Sequence, residues 1–218
     1  MSRFALVLPL LTAVFAAAPA HAQVVVTSGF DIGATAVGPN AGAAQGSFLS
    51  ATGGQVMIDF EGALPSGVAI KGGSITRDAT CESEYCGTNT TLGGTTFLLS
   101  PGFKTTLTFS FDEGINYFGA YFSGLQLARS AITFSDGTQQ RINLPYDSVS
   151  TGGLAFVGFQ HGTALIKSIS IYTGSDIVAV DDVIYGRGAV AAIPEAGTLG
   201  MMGLGLAALA GVARRRRA

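Results

Sequence analysis

Apolar and polar positions alternate with a period of two in one short segment after another through the middle of the chain. In VMIDF, Val56, Ile58 and Phe60 share one face while Met57 and Asp59 share the other. LTFSF repeats the arrangement with Leu107, Phe109 and Phe111, and YFGAYF, AITFS, RINL, LAFVGF, IKSISIY and IVAVDDVIY continue the series. A side-chain period of two belongs to strands that lay one face on a core. Glycine, Asp-Gly and proline-containing turns separate the segments. Asp136-Gly137, between ITFS and TQQRINL, is a hairpin signal, because the tight turn needs residues that accept positive φ. Eight or more short strands without intervening helices predict an all-β, antiparallel sandwich.

One stretch changes period. Ala41, Ala44, Phe48 and Leu49 fall at helical spacing, with Asn40 as the capping residue, and predict one short N-terminal helix over residues 40–51. Residues 23–39, rich in Gly, Ala and Val, read as an irregular lead-in.

The two ends obey a different pattern. Arg3 precedes an apolar run from Phe4 to Ala18, and Ala20-His21-Ala22 has the small-x-small form that signal peptidase accepts, so residues 1–22 read as a signal peptide and the mature chain begins at Gln23. Ala196 to Ala213 is free of charge until Arg214, Arg215, Arg216 and Arg217 stop it. At ~1.5 Å per residue such a helix spans about 27 Å, close to the ~30 Å of a bilayer core. Its five glycines weaken a helix in water but are tolerable in lipid, and the arginines hold that end cytoplasmic. The domain expectation is a signal peptide at 1–22, an ectodomain at 23–192 and a C-terminal sorting and anchor segment at 193–218.

Pro194 and Glu195, the apolar span and the terminal arginines together resemble the PEP-CTERM sorting signal of Gram-negative bacteria. Where that family usually carries a second proline, this chain has Ala196. The resemblance implies handling by exosortase, a membrane-embedded transpeptidase-like enzyme, with transient inner-membrane anchoring before the protein reaches the cell surface or medium. The interior motifs IDFEG, FGAYFSG, ITFSDGT, FVGF and VDDVIYG are similar to ectodomains that precede such tails, and the bracket formed by DFE and VDDV is similar to jelly-roll modules of the MAM and carbohydrate-binding type. That likeness implies a jelly-roll-like β-sandwich.

Setting the ends aside changes the charge. Seven of twelve basic residues and thirteen of fourteen acidic ones lie in residues 23–192, leaving a net charge of −6 there against −2 for the whole chain. An acidic surface excludes nucleic acid as a partner and accommodates neutral sugars and divalent cations.

Chemistry-bearing motifs are sparse. No HExxH, GxSxG or P-loop sequence is present. His161 is the only histidine after His21, and GFQHGTA reads as a solvated turn between strands. Asp112-Glu113 and Glu82/Glu84 are the carboxylates a glycosidase would draw on, and they read as loop-tip acids. Cys81 and Cys86, spaced C-x4-C, are expected to form a local disulfide in an oxidising compartment rather than a zinc site, for which two cysteines are too few ligands. Asn89-Thr90-Thr91 fits a glycosylation sequon by coincidence in a Thr-rich loop.

Asp59 and Glu61 in IDFEG, with Asp181 and Asp182 in VDDV, raise a metal question. A jelly roll lays its first and last strands side by side, where unpaired acids repel. A structural calcium ion would resolve this, and such extracellular sites are weak, ~10⁻⁴–10⁻³ M. The alternative is that Asp59 and Asp181 face solvent while Glu61 and Asp182 bond to loop amides.

The functional expectation is a non-catalytic exported surface or matrix protein, linked through the resemblance to exopolysaccharide and biofilm. A carbohydrate-binding module and a secreted glycoside hydrolase stand as alternatives. For a sugar platform the available tyrosines are Tyr117, Tyr121, Tyr146 and Tyr172, and there is no tryptophan.

Overall fold

The computed structural model describes residues 24–77, 87–124, 129–135, 137, 139–143, 152–162, 164–173, 177–188 and 203–205. All but the last three belong to one compact unit, Ala22–Ala192. Residues 203–205 are helical, and the rest of the expected C-terminal span lies outside the described residues, as do the signal peptide, Cys81 and Cys86. Among the described residues no helix is long and apolar enough to cross a membrane.

The elements in chain order are β1 (Val24–Ile32), α1 (Pro39–Thr52), β2 (Val56–Ile58), β3 (Val68–Lys71), β4 (Ser74–Thr76), β5 (Phe97–Leu99), β6 (Thr106–Ile115), β7 (Tyr117–Ser123), β8 (Arg129–Phe134), β9 (Gln139–Asn143), β10 (Gly153–His161), β11 (Ile166–Tyr172) and β12 (Ala179–Gly186). A seven-stranded sheet runs β1-β10-β7-β12-β5-β4, with β2 also pairing β12, and a five-stranded sheet runs β3-β6-β11-β8-β9. Every pairing is antiparallel. The β8–β9 hairpin turns through Gly137 at φ 85°, at the Asp-Gly signal.

The two sheets face each other across one apolar core. Leu107, Phe109 and Phe111 of β6 and Ile166, Ile169 and Ile171 of β11 meet Phe118 and Phe122 of β7, Val157 and Phe159 of β10 and Val180 and Val183 of β12. In β6 and β11 the residues between are Thr, Ser, Asp or Lys and point to the other side, which is the period of two seen in the sequence.

The middle of the seven-stranded sheet, β7 and β10, is buried on both faces, because α1 lies against its far side there. Phe48 packs with Tyr117 and Phe156 at ring-centroid distances of 6.1 and 5.5 Å. Every residue of β7 and β10 is therefore buried, and polar alternation disappears from both strands. The helix begins after Gly38 without a cap from its own side chains. Asp31, at the end of β1, caps it across sequence: its carboxylate accepts the amides of Asn40 at 3.1 Å and Ala41 at 2.8 Å. Any side chain at Gly38 would collide with that carboxylate, its Cβ lying 2.4 Å from Asp31 Cγ.

Two expectations are corrected here. Residues 23–39 are not an irregular lead-in, since Val24–Ile32 forms β1. Asn40 is not the cap; its side-chain amide instead donates to the Phe30 carbonyl at 3.2 Å, fastening the helix to β1.

Candidate functional site

β2 pairs β12 with Ile58 opposite Val183, which brings IDFEG beside VDDV, but among the described residues the four acids singled out in the sequence do not gather into one group. The loop 87–96 closes over them. In a regular strand Asp181 and Asp182 would point to opposite faces. Here a bulge lies between Asp181 and Ile184, and Asp182 takes φ 47°. An added residue of this kind re-aims the side chains beside it. Both carboxylates consequently meet the same hydroxyl, Thr90 Oγ1, at 3.2 Å for Asp181 and 3.1 Å for Asp182.

The loop supplies the remaining donors. Thr90 and Thr91 amides donate to Asp181 Oδ2 at 2.7 and 3.2 Å, and Thr91 Oγ1 donates to Asp182 Oδ1 at 2.8 Å. Thr95 and Thr96 amides both donate to Glu61 Oε1 at 2.6 Å, while Asp59 Oδ1 accepts the Glu61 amide at 3.1 Å. Asn89 braces the loop by donating to the Thr91 carbonyl at 2.9 Å, so the sequon amide is engaged within its own turn.

Burial and these donors pull the acids in different directions. Asp181 is pushed up to about 6 by burial, against the amides that favour its charge. Asp182 also rises through burial, with a contribution from the negative charge of Asp59. Glu61 falls below its ordinary value because the Thr96 and Thr95 amides stabilise its anion. Asp181 and Asp182 thus hold onto their protons while Glu61 releases its own.

For calcium, the donor set fits poorly. Asp181 takes the amides of Thr90 and Thr91 and shares their hydroxyls with Asp182, Glu61 is turned to Thr95 and Thr96, and Asp59 to its own turn. Among the described residues no three His, Cys, Asp or Glu side chains are grouped as a metal centre requires. The arrangement seen is a carboxylate latch that pins a threonine-rich loop to two strands.

The other residues considered are placed as follows. His161 is not a solvated turn residue: it ends β10, is buried, and its Nδ1 accepts the Ala164 amide at 3.1 Å. Burial lowers its pKa. Asp112 and Glu113 are not loop-tip acids but belong to β6, on exposed positions, with Glu113 3.9 Å from the Arg187 guanidinium. Tyr117 and Tyr121 lie buried beneath α1 and offer no platform. Burial, then the charges of Asp182 and Asp31, push Tyr121 up to about 12, and its hydroxyl is hydrogen-bonded with Gln45 Oε1 at 3.0 Å. Glu82, Glu84 and Tyr146 lie outside the described residues.

A second surface was not legible in the sequence. The outer face of β6 and β11 carries Thr106, Thr108 and Ser110 beside Ser168, Ser170 and Tyr172, in register Thr106↔Tyr172, Thr108↔Ser170 and Ser110↔Ser168. The Thr108 and Ser170 hydroxyls are 3.1 Å apart. Tyr172 is 39% exposed, and nearby Phe103 is 64% exposed in a loop held by Thr105 and Thr173. Alternate positions of these strands read as ordinary solvent-facing Ser and Thr, so only the pairing reveals the rows.

Two packed antiparallel sheets define a jelly-roll-like β-sandwich protein. Residues 192–217 match the PEP-CTERM protein-sorting motif, which contains Pro194, Glu195 and Arg214 to Arg217, and the chain is accordingly an exported protein sorted by its C-terminus. Comparison with curated protein sequences gave no match. Among solved structures the chain is similar to a family 29 carbohydrate-binding module mutant complexed with mannohexaose, at 9% identity and TM-score 0.36, covering 62% of this chain and 92% of the module. It is also similar to another family 29 module at 10% identity and TM-score 0.37, covering 62% and 89%. The module TmCBM61 in complex with β-1,4-galactotriose matches at 10% identity and TM-score 0.32, covering 56% and 89%.

Proposed function

We propose that this chain is a non-catalytic surface or matrix protein whose sandwich works by adhesion, within an exopolysaccharide layer, after its ends have been processed. The observation that carries the reading is the sorting motif at residues 192–217 following a β-sandwich. Signal peptidase cleaves after Ala22 in this scheme, and exosortase acts near Pro194-Glu195 while the apolar span is held in the inner membrane of a Gram-negative cell. Mass spectrometry of the native protein tests it by reading both termini. A chain starting at Gln23 and lacking Arg214 to Arg217 supports the scheme, and a chain retaining the arginines in the inner membrane refutes it.

A second reading is favoured by the hydroxyl rows on β6 and β11. Paired Ser and Thr hydroxyls beside the exposed rings of Tyr172 and Phe103 suit a neutral polysaccharide, which offers hydroxyls to bond and a C–H face to stack. Glycan-array binding, repeated with Tyr172→Ala, tests it. Binding that is lost in the variant supports a sugar site on this face. Binding that is unaffected places any site elsewhere.

A further inference from the structure

Sheets end in edge strands whose outward amides and carbonyls can pair with another chain, and proteins ordinarily blunt them with short strands, charges, prolines or bulges. Three edges of this sandwich follow that rule. β4 has three residues, β3 has four and ends in Lys71, and β9 is a polar five-residue strand, QQRIN, with Arg141 in its centre. β1 does not. It runs nine residues, pairs β10 without a register shift from Val24↔His161 to Ile32↔Gly153, and has no proline and no charge before Asp31. The carboxylate of Asp31 is itself turned inward to cap α1.

Three hydrogen bonds fix which backbone groups point outward. The Gly33 amide donates to Gly152 at 2.9 Å, continuing the ladder into β10 at odd-numbered residues. The His161 amide, opposite Val24, donates away from β1 to Asn116 at 2.8 Å. The Phe30 carbonyl accepts the Asn40 side chain at 3.2 Å, from outside the ladder. In an antiparallel pair these directions alternate. The even-numbered residues Val24, Val26 and Ser28 therefore present amide and carbonyl to the open side, and among the described residues no strand pairs there. Val26 is 37% exposed.

We propose that this edge is a self-assembly surface, on which β1 of a second copy of the chain pairs antiparallel about a two-fold axis at Val26. Val26 then faces its own symmetry mate and Val24 faces Ser28. The three outward residues of each copy exchange about six hydrogen bonds. Asn40, seated on the Phe30 carbonyl, stops the register from sliding further toward Ile32. An uncharged strand brings no like charges together across the axis, where a chain with a net charge of −6 over residues 23–192 would otherwise repel itself. An isologous contact of this kind closes as a dimer and joins two seven-stranded sheets into one. It does not depend on whether the hydroxyl face of the other sheet binds sugar.

The exported protein, purified from its host, is sedimented across a concentration series while amide exchange is followed residue by residue. Dimers that dissociate on dilution are expected. The amides of Val24, Val26 and Ser28 should exchange slowly in the dimer and rapidly in the monomer, while those of Val25, Thr27 and Gly29 stay slow in both. Val26→Pro removes only an outward amide, which edge strands tolerate, and should weaken association at least tenfold with the β10 ladder still protected. Should the proline disturb the strand, Val26→Lys provides the same test through charge. A protein that is monomeric throughout overturns the proposal. So does an assembly that survives both substitutions or leaves the alternate-residue exchange pattern unchanged.

Discussion

Gly119 and Gly158 face each other across β7 and β10, and together they form the slot that receives the ring of Phe48 from α1. A methyl group at residue 158 would lie 2.3 Å from Phe48 Cδ2, and one at residue 119 would lie 2.8 Å from Phe48 Cε1. Phe48 is fully buried. Close-packed interiors do not absorb such overlap, and added methyl groups typically cost ~1–3 kcal/mol. Gly158→Ala is expected to lower unfolding free energy by about that amount in denaturant titration. Phe48→Ala alone should cost ~3–5 kcal/mol, and in its background the Gly158→Ala penalty should largely vanish. Penalties that simply add would mean that the ring does not occupy the slot.

The same helix offers a stabilising change. Gly46 lies within α1, and a Cβ there would meet nothing within 4 Å. Gly46→Ala is expected to raise stability by ~0.5–1 kcal/mol, since alanine loses less conformational freedom in a helix. A midpoint unchanged within error would count against a well-formed helix at this position.

The cap reaching over from β1 can be tested by itself. Asp31→Ala deprives the Asn40 and Ala41 amides of their acceptor and is expected to cost ~0.5–2 kcal/mol. Asp31→Asn keeps one acceptor oxygen and should recover part of that. Equal losses in both variants would show that the charge, rather than the hydrogen bonds, sustains the helix start.

What the sequence made legible follows from which faces are wet. β6 and β11 have one face in solvent, so Leu107-Phe109-Phe111 and Ile169-Ile171 alternate with polar residues and declare themselves. α1 was visible for the same reason, through the Ala41-Ala44-Phe48 stripe. β1 escaped because neither of its faces is uniformly wet or dry: Val24 joins the main core while Val26 and Ser28 stay exposed, Asp31 on the other face serves α1, and no period of two survives. The acid pairs were recognisable as residues, but their fate depended on a bulge and a loop 90 residues earlier in the chain, at Thr90 and Thr91. Nothing local to VDDV announces that partner.

The latch makes a pH-dependent prediction whose sign follows from Asp181. Its folded-state value is raised to about 6 from an ordinary 3.8, so the unfolded chain releases its proton first as pH rises. The stability associated with the protonated form is complete below pH ~4, declines between ~4 and ~6, and is lost above that, a total of at most ~3 kcal/mol. Asp182 is raised as well and acts in the same direction. Buried His161 opposes them, since its lowered value makes acidification favour the unfolded chain below its ordinary 6.5. Glu61 acts only below its ordinary 4.5, where its lowered value makes stability fall as pH drops. The difference between wild type and Asp181→Asn isolates the latch from these other groups. On going from pH 7 to pH 5 wild type should gain ~1 kcal/mol relative to the variant, measured by urea titration at each pH. The same titrations decide the calcium question. With Thr90 and Thr91 already donating to both carboxylates, millimolar calcium is expected to leave the pH 7 midpoint and the pH dependence unchanged. A cation seated on the pair would favour the ionised form, raising the midpoint at pH 7, flattening the rise toward pH 5, and doing neither in Asp182→Asn. That combination would establish a calcium site in place of a carboxylate latch.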